Sequence, residues 1–145
     1  MAKNSMDVVG MVEPLFASLP KLPKNARETL VKIAPWLALI FGVLGVLAGV
    51  AGFGILSFFS PVAVATGVQG YGFGFVSAIV LLVSSVMMLA AYPGLNKKSM
   101  SGWNLLFWSE VLNLAYGILS MSIVSGIIGA LIGFYILFQI KSYYK

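Results

Sequence analysis

The 145-residue chain contains no cysteine and no histidine. Without them it has no disulfide, no thiol nucleophile, no imidazole acid–base and no zinc site of the usual kind. Carboxylates are scarce as well: Asp7, Glu13, Glu28 and Glu110 are all there are. Hydrolytic, phosphoryl-transfer and metal-assisted chemistry draws on clusters of such groups, so the composition predicts a protein that is not an enzyme and holds no cofactor or metal. Charged residues make up only 9% of the chain, against about a quarter in an ordinary soluble domain. That excludes a water-soluble globule and a charge-rich disordered chain.

What is present is apolar: 60% of the residues are hydrophobic. Four long apolar runs stand out, at 35–59, 71–92, 103–119 and 123–140. A spanning helix needs roughly 20 such residues, and lipid leaves no partner for the open backbone groups of an isolated strand. The expectation is an all-α, polytopic membrane protein, a four-transmembrane-helix bundle at 35–145 preceded by a cytoplasmic segment at 1–34 with N-terminal amphipathic helices. The first run begins too late and runs too long for a cleaved leader. The break between the last two runs is only Ser120-Met121-Ser122.

The nine Lys and Arg residues all avoid these runs. Lys3, Lys21, Lys24, Arg27 and Lys32 precede the first, Lys97 and Lys98 follow the second, and Lys141 and Lys145 follow the fourth. The connections at 60–70 and around Met121 carry no charge. By the positive-inside rule this predicts a multi-pass protein of the cell (inner) membrane with both termini cytoplasmic. The net charge of +5 therefore reports orientation. No basic stripe with interleaved aromatics is present, and no nucleic acid is expected as a partner. Trp36, Tyr92, Trp103, Tyr143 and Tyr144 fall at the same predicted boundary, as an aromatic belt would.

Residues 5–19 read as an amphipathic helix, with Val8, Val9, Val12, Leu15, Phe16 and Leu19 on one side and Asp7, Gly10, Glu13, Ala17 and Ser18 on the other. Pro14 is expected to kink or divide it. Pro20-Lys21-Leu22-Pro23 reads as a stiff break, followed by a short helix over 25–33 with Glu28 and Lys32 paired. Pro35 would then open the first span. The segment is either an interfacial anchor on the lipid surface or a docking helix for a partner protein.

Lipid tails are as apolar as leucine, so membrane helices associate through close approach and polar contacts. Each run carries a seam for this. The first has Ala38, Gly42, Gly45, Gly49 and Gly52; the second Gly70, Gly74, Ser77 and Ser84; the third Glu110, Asn113, Gly117 and Ser120; the fourth Ser122, Gly126, Gly129 and Gly133. Gly45/Gly49 and Gly129/Gly133 form GxxxG pairs, read first as packing inside the bundle and second as a dimer seam. The run Val68-Gln69-Gly70-Tyr71-Gly72 has the letters of a potassium filter, but the connection before it is too short for a pore helix.

Glu110 is the single ionisable group inside any run. It lies about 10 Å along the axis from Trp103, about a third of the way across a 30 Å core. Either it is a neutral, hydrogen-bonded acid that glues the bundle, or it is a proton or cation site. Asn113 lies one turn on, and Asn104, Ser109 and Gln139 are candidate further ligands. One charge among neutral oxygens suits a proton or an organic cation better than a divalent metal.

Size, four spans and a lone membrane carboxylate resemble the plan of the small multidrug resistance transporters, which implies a proton-coupled glutamate. That family's glutamate sits in the first span before Val and Gly, whereas Glu110 sits in the third, within FWSEVLNLAYG. The family also lacks the long amphipathic segment. The last 50 or so residues, GWNLLFWSE through YILFQIKSYYK, resemble uncharacterised small four-span bacterial membrane proteins, which implies a bacterial-type inner-membrane bundle and no particular activity. The functional expectation is a subunit, scaffold or accessory of a membrane complex, as a homo-oligomer or with a partner membrane protein. The alternative is a small oligomeric transporter or channel centred on Glu110.

Overall fold

The computed structural model describes residues 2–145, with side chains from Val8 onward. Lys3 and Asp7, assigned above to the basic segment and to a polar helix face, lie outside the described side chains. The described residues form five helices: α1 (Ala2–Ala17), α2 (Lys24–Thr66), α3 (Tyr71–Asn96), α4 (Met100–Leu119) and α5 (Ile123–Ile140), followed by a 3₁₀ turn at Lys141–Tyr143. No strand occurs among the described residues.

Two boundaries differ from the sequence reading for one reason. The short helix at 25–33 and the first span are a single helix, and it continues past Phe59 to Thr66. Pro35 and Pro61 lie inside it, and Pro14 lies inside an undivided α1. Each proline removes one hydrogen bond to the carbonyl four residues back, yet the flanking residues keep the helix going. The stop signal of α2 is Gly67, at φ 66°, with the N–H of Val68 reaching back to the Ala63 carbonyl (3.1 Å). Gly70, at φ 80°, opens α3. Both use a left-handed conformation that a side chain disfavours. At 43 residues α2 is about 64 Å long, roughly twice a hydrocarbon core. Glu28 pairs backward with Lys24 (3.8 Å), not forward with Lys32.

Consecutive helices from α2 to α5 pack as antiparallel neighbours, and α2 meets α5 only over a short stretch. Gly42, Gly45 and Gly49 of α2 face Leu89, Ser85 and Leu82 of α3. Gly94 of α3 lies against Gly102 of α4, and Gly117 of α4 against Gly126 of α5. Near the far end of the α3–α4 pair, Ser77 hydrogen-bonds Tyr116. Gly52 and Gly129 depart from the seam reading: a Cβ on either would meet nothing within 4 Å.

Among the described residues three helical stretches are long and apolar enough to cross a membrane: α2, α3 and Ile123–Tyr143. The sequence reading expected four. The third run, α4, falls short because Asn104, Ser109, Glu110 and Asn113 dilute its 20 residues. The antiparallel order gathers the start of α2, the α3–α4 turn and the end of α5 at one end. Lys24, Arg27, Lys97, Lys98 and Lys141 therefore share that end, and the two turns at the opposite end are uncharged.

The best-packed core lies at the basic end, around Ala91, Leu95, Trp103, Phe107, Phe134 and Ile140. Trp103 is 0% exposed and stacks on Phe107 (centroids 5.5 Å apart), and Tyr144 is also buried. Both correct the belt expectation. These side chains reach inward because α4 enters between α3 and α5. Trp36 does sit on the surface, edge-on to Tyr92.

The first helix is already docked. Phe16 packs on Phe134 and Phe138 of α5 (centroids 6.1 and 5.5 Å). Gln139 holds the linker: its amide donates to the Pro20 carbonyl and its oxygen accepts from the Leu22 N–H, both at 3.1 Å. Tyr135 donates to the same carbonyl (2.7 Å), and Lys141 pairs with Glu13 (2.5 Å). The apolar face expected on this segment is therefore split. Val9 and Phe16 are covered by the chain itself, while Leu15 and Leu19 are 70% and 40% exposed.

Candidate functional site

α4 positions the residues that the sequence singles out. Against α5 it packs Gly117 on Gly126 and Glu110 on Gly133. A Cβ at Gly133 would collide with the Glu110 carboxylate, so the missing side chain is what leaves room for the acid. The carboxylate lines a cleft of about 320 Å³ between α2, α3, α4 and α5, whose walls include Ala38, Phe41, Met88, Leu106 and Leu137. Among the described residues no lysine or arginine lines this cleft. Among the described residues Glu110 makes no hydrogen bond and no ion pair.

The other candidate ligands are not assembled around it. Ser109 reaches the same cleft, but its hydroxyl donates to the Leu106 carbonyl of its own helix (2.8 Å). Asn104 is half-buried and Asn113 is exposed on the outside of α4, and neither forms a hydrogen bond among the described residues. Gln139 is committed to the α1–α2 linker. Among the described residues no group of three or more metal-ligating acids forms. The arrangement is one carboxylate in an apolar cleft, not an oxygen cage.

Asn113 has a neighbourhood of its own. The contacts on either side of it fix an antiparallel register that places it level with Ala130 of α5, next to Gly129. Gly129 has open space where a side chain would be. Asn113 and Gly129 are both exposed, an amide unpaired among the described residues on α4 and a bare backbone position on α5.

No protein-family model, no curated protein and no solved structure matches the chain. The resemblances drawn from the sequence gain no support from these comparisons, and the site is read from its own chemistry.

Proposed function

We propose that this chain is a small multi-pass protein of the cell membrane that acts by assembly, as a subunit, scaffold or accessory of a membrane complex, without catalysis. In this reading α4 is a fourth crossing. Its 20 residues measure about 30 Å, the thickness of the hydrocarbon core. Asn104, Ser109 and Glu110 are tolerated because α3 and α5 flank it. Both chain ends and the Lys97–Lys98 turn then lie on the cytoplasmic side, where basic loops are retained.

One observation carries the assembly reading: Asn113 is exposed on α4 with its amide unpaired among the described residues, within one residue of register of the exposed, open Gly129 of α5. Lipid offers that amide no partner, and leaving it unpaired is unfavourable. A helix of another subunit supplies both the hydrogen bond and the close approach. A second copy is the simplest source, because a two-fold axis lets the same surface serve on both sides. The docked state of α1 favours this intramembrane contact over partner capture by a free arm.

The absence of cysteine makes the test direct. Gly129→Cys in native membranes is expected to cross-link as a dimer on oxidation. Asn113→Ala is expected to weaken self-association by about 1 kcal/mol, roughly fivefold, read by energy transfer between labelled copies across a range of lipid dilutions. A chain that stays monomeric at every dilution, with no effect of either change, defeats the reading.

The Glu110 cleft favours a second reading, transport of a proton or of an organic cation with an apolar body, because a single carboxylate faces apolar walls. Glu110→Gln in proteoliposomes separates the two. It should leave assembly intact in either case, and it should abolish cation-coupled proton movement only in a transporter.

A further inference from the structure

A second cavity, at the basic end, belongs to neither reading. It measures about 400 Å³ and lies where α1, the starts of α2 and α4, and the end of α5 converge. Lys21, Arg27 and Lys141 line it, with Glu13 as the one acid. Glu13 is taken up by Lys141, which leaves Lys21 and Arg27 without an ion pair among the described residues. Two of its lining residues each carry a buried polar atom that lacks a hydrogen-bond partner: the Arg27 Nε and the Tyr144 hydroxyl. The Arg27 guanidinium is held over the Tyr143 ring, 6.0 Å from its centroid. Burial pushes the Tyr144 hydroxyl up to about 12 from 10, so it remains a neutral donor.

Arginine can only donate hydrogen bonds, so whatever completes this cavity brings acceptor oxygens. Arginine's planar fork and a neighbouring lysine match an oxyanion in particular. Phe16, Phe138 and Met100 form an apolar wall beside the charges, as a ligand that is part anion and part hydrocarbon requires. The cavity also lies at the end of the apolar helices, at the depth where lipid headgroups meet a spanning bundle.

We propose that this cavity binds a phosphate group, carried by the headgroup of an anionic phospholipid, with Arg27, Lys21 and the Tyr144 hydroxyl as its donors. The bound lipid bridges α1 to the transmembrane helices and so ties the docked arm to the composition of the bilayer. The site is independent of Asn113 and Glu110 and stands or falls separately from the assembly reading.

The test uses the full chain in detergent micelles, titrated with phosphatidylglycerol, phosphatidylcholine or inorganic phosphate, with bound ligand read by native mass spectrometry. Phosphatidylglycerol is expected to bind at least tenfold tighter than phosphatidylcholine. Arg27→Gln combined with Lys21→Gln is expected to erase that preference. Tyr144→Phe, which removes only the orphaned hydroxyl and preserves the packing, is expected to weaken binding by about threefold. Lys97→Gln combined with Lys145→Gln removes the same charge from the same end but from outside the cavity, and is expected to leave binding unchanged. Binding of phosphatidylglycerol alone assigns the lipid headgroup, and binding of inorganic phosphate as well assigns the phosphate group itself. No preference for phosphatidylglycerol, an unaffected Arg27/Lys21 variant, or an equal loss in the Lys97/Lys145 variant overturns the proposal.

Discussion

Gly102→Ala is expected to destabilise the bundle by about 3 kcal/mol or more, measured as unfolding in mixed micelles of increasing denaturing-detergent fraction. A Cβ at this position would collide with the backbone of α3, at the Leu95 nitrogen and the Gly94 carbonyl carbon, with the Ala91 carbonyl oxygen at 2.9 Å. All three are main-chain atoms, so no rotamer change can make room and the two helices must separate. The nearest contact from the other side is the same: a Cβ at Gly94 would stand 2.7 Å from the Gly102 nitrogen. Gly52→Ala provides the internal control. It adds the same methyl group to open space and is expected to leave stability unchanged or raise it by up to about 1 kcal/mol. Equal effects at the two positions would show that the α3–α4 approach is not as close as described.

Trp103→Ala is expected to cost about 3–5 kcal/mol in the same assay. The indole is fully buried, stacked on Phe107 and edge-on to Phe138 (both 5.5 Å), and its Nε1–H donates to the Leu137 carbonyl (2.8 Å). Truncation leaves a cavity where α3, α4 and α5 meet, and removes the hydrogen bond as well. Trp103→Phe restores most of the ring contact but not the donor, so its loss should be nearer 1 kcal/mol. A tryptophan of the interfacial belt would respond differently, with a small effect on unfolding and a larger one on depth in the bilayer. The comparison of the two variants therefore tests core against belt.

Trp103 also shows where sequence reasoning stops. An indole at the end of an apolar run suits a lipid interface and a protein core equally well. Which one it meets depends on helix rotation, which no run length encodes. By contrast, α3 and α5 begin at Tyr71 and Ile123, where the apolar runs begin, because uncharged Gly- and Ser-bearing breaks mark those turns. α2 was not legible as one helix, since Pro35 and Pro61 read as boundaries and the actual terminator is the backbone conformation of Gly67. Glu110 is evident from composition alone, as the one acid in an apolar run. Its surroundings are not: Asn113 lies about 60° around the helix from it, enough for one to face Gly133 and the other to face out. The cavity at the basic end was invisible for a different reason. It combines side chains such as Arg27 and Tyr144 that are remote in the chain and become neighbours only when the last helix returns to the first.

That return has a consequence for how the molecule is made. Phe16 finds its seat on Phe134 and Phe138, residues that leave the ribosome long after it. At about 5–20 residues per second the delay is roughly 6 to 24 s. Throughout that interval the nascent arm carries Val9 and Phe16 uncovered, with only the bilayer surface to shelter them, until α5 is inserted and the arm can be captured.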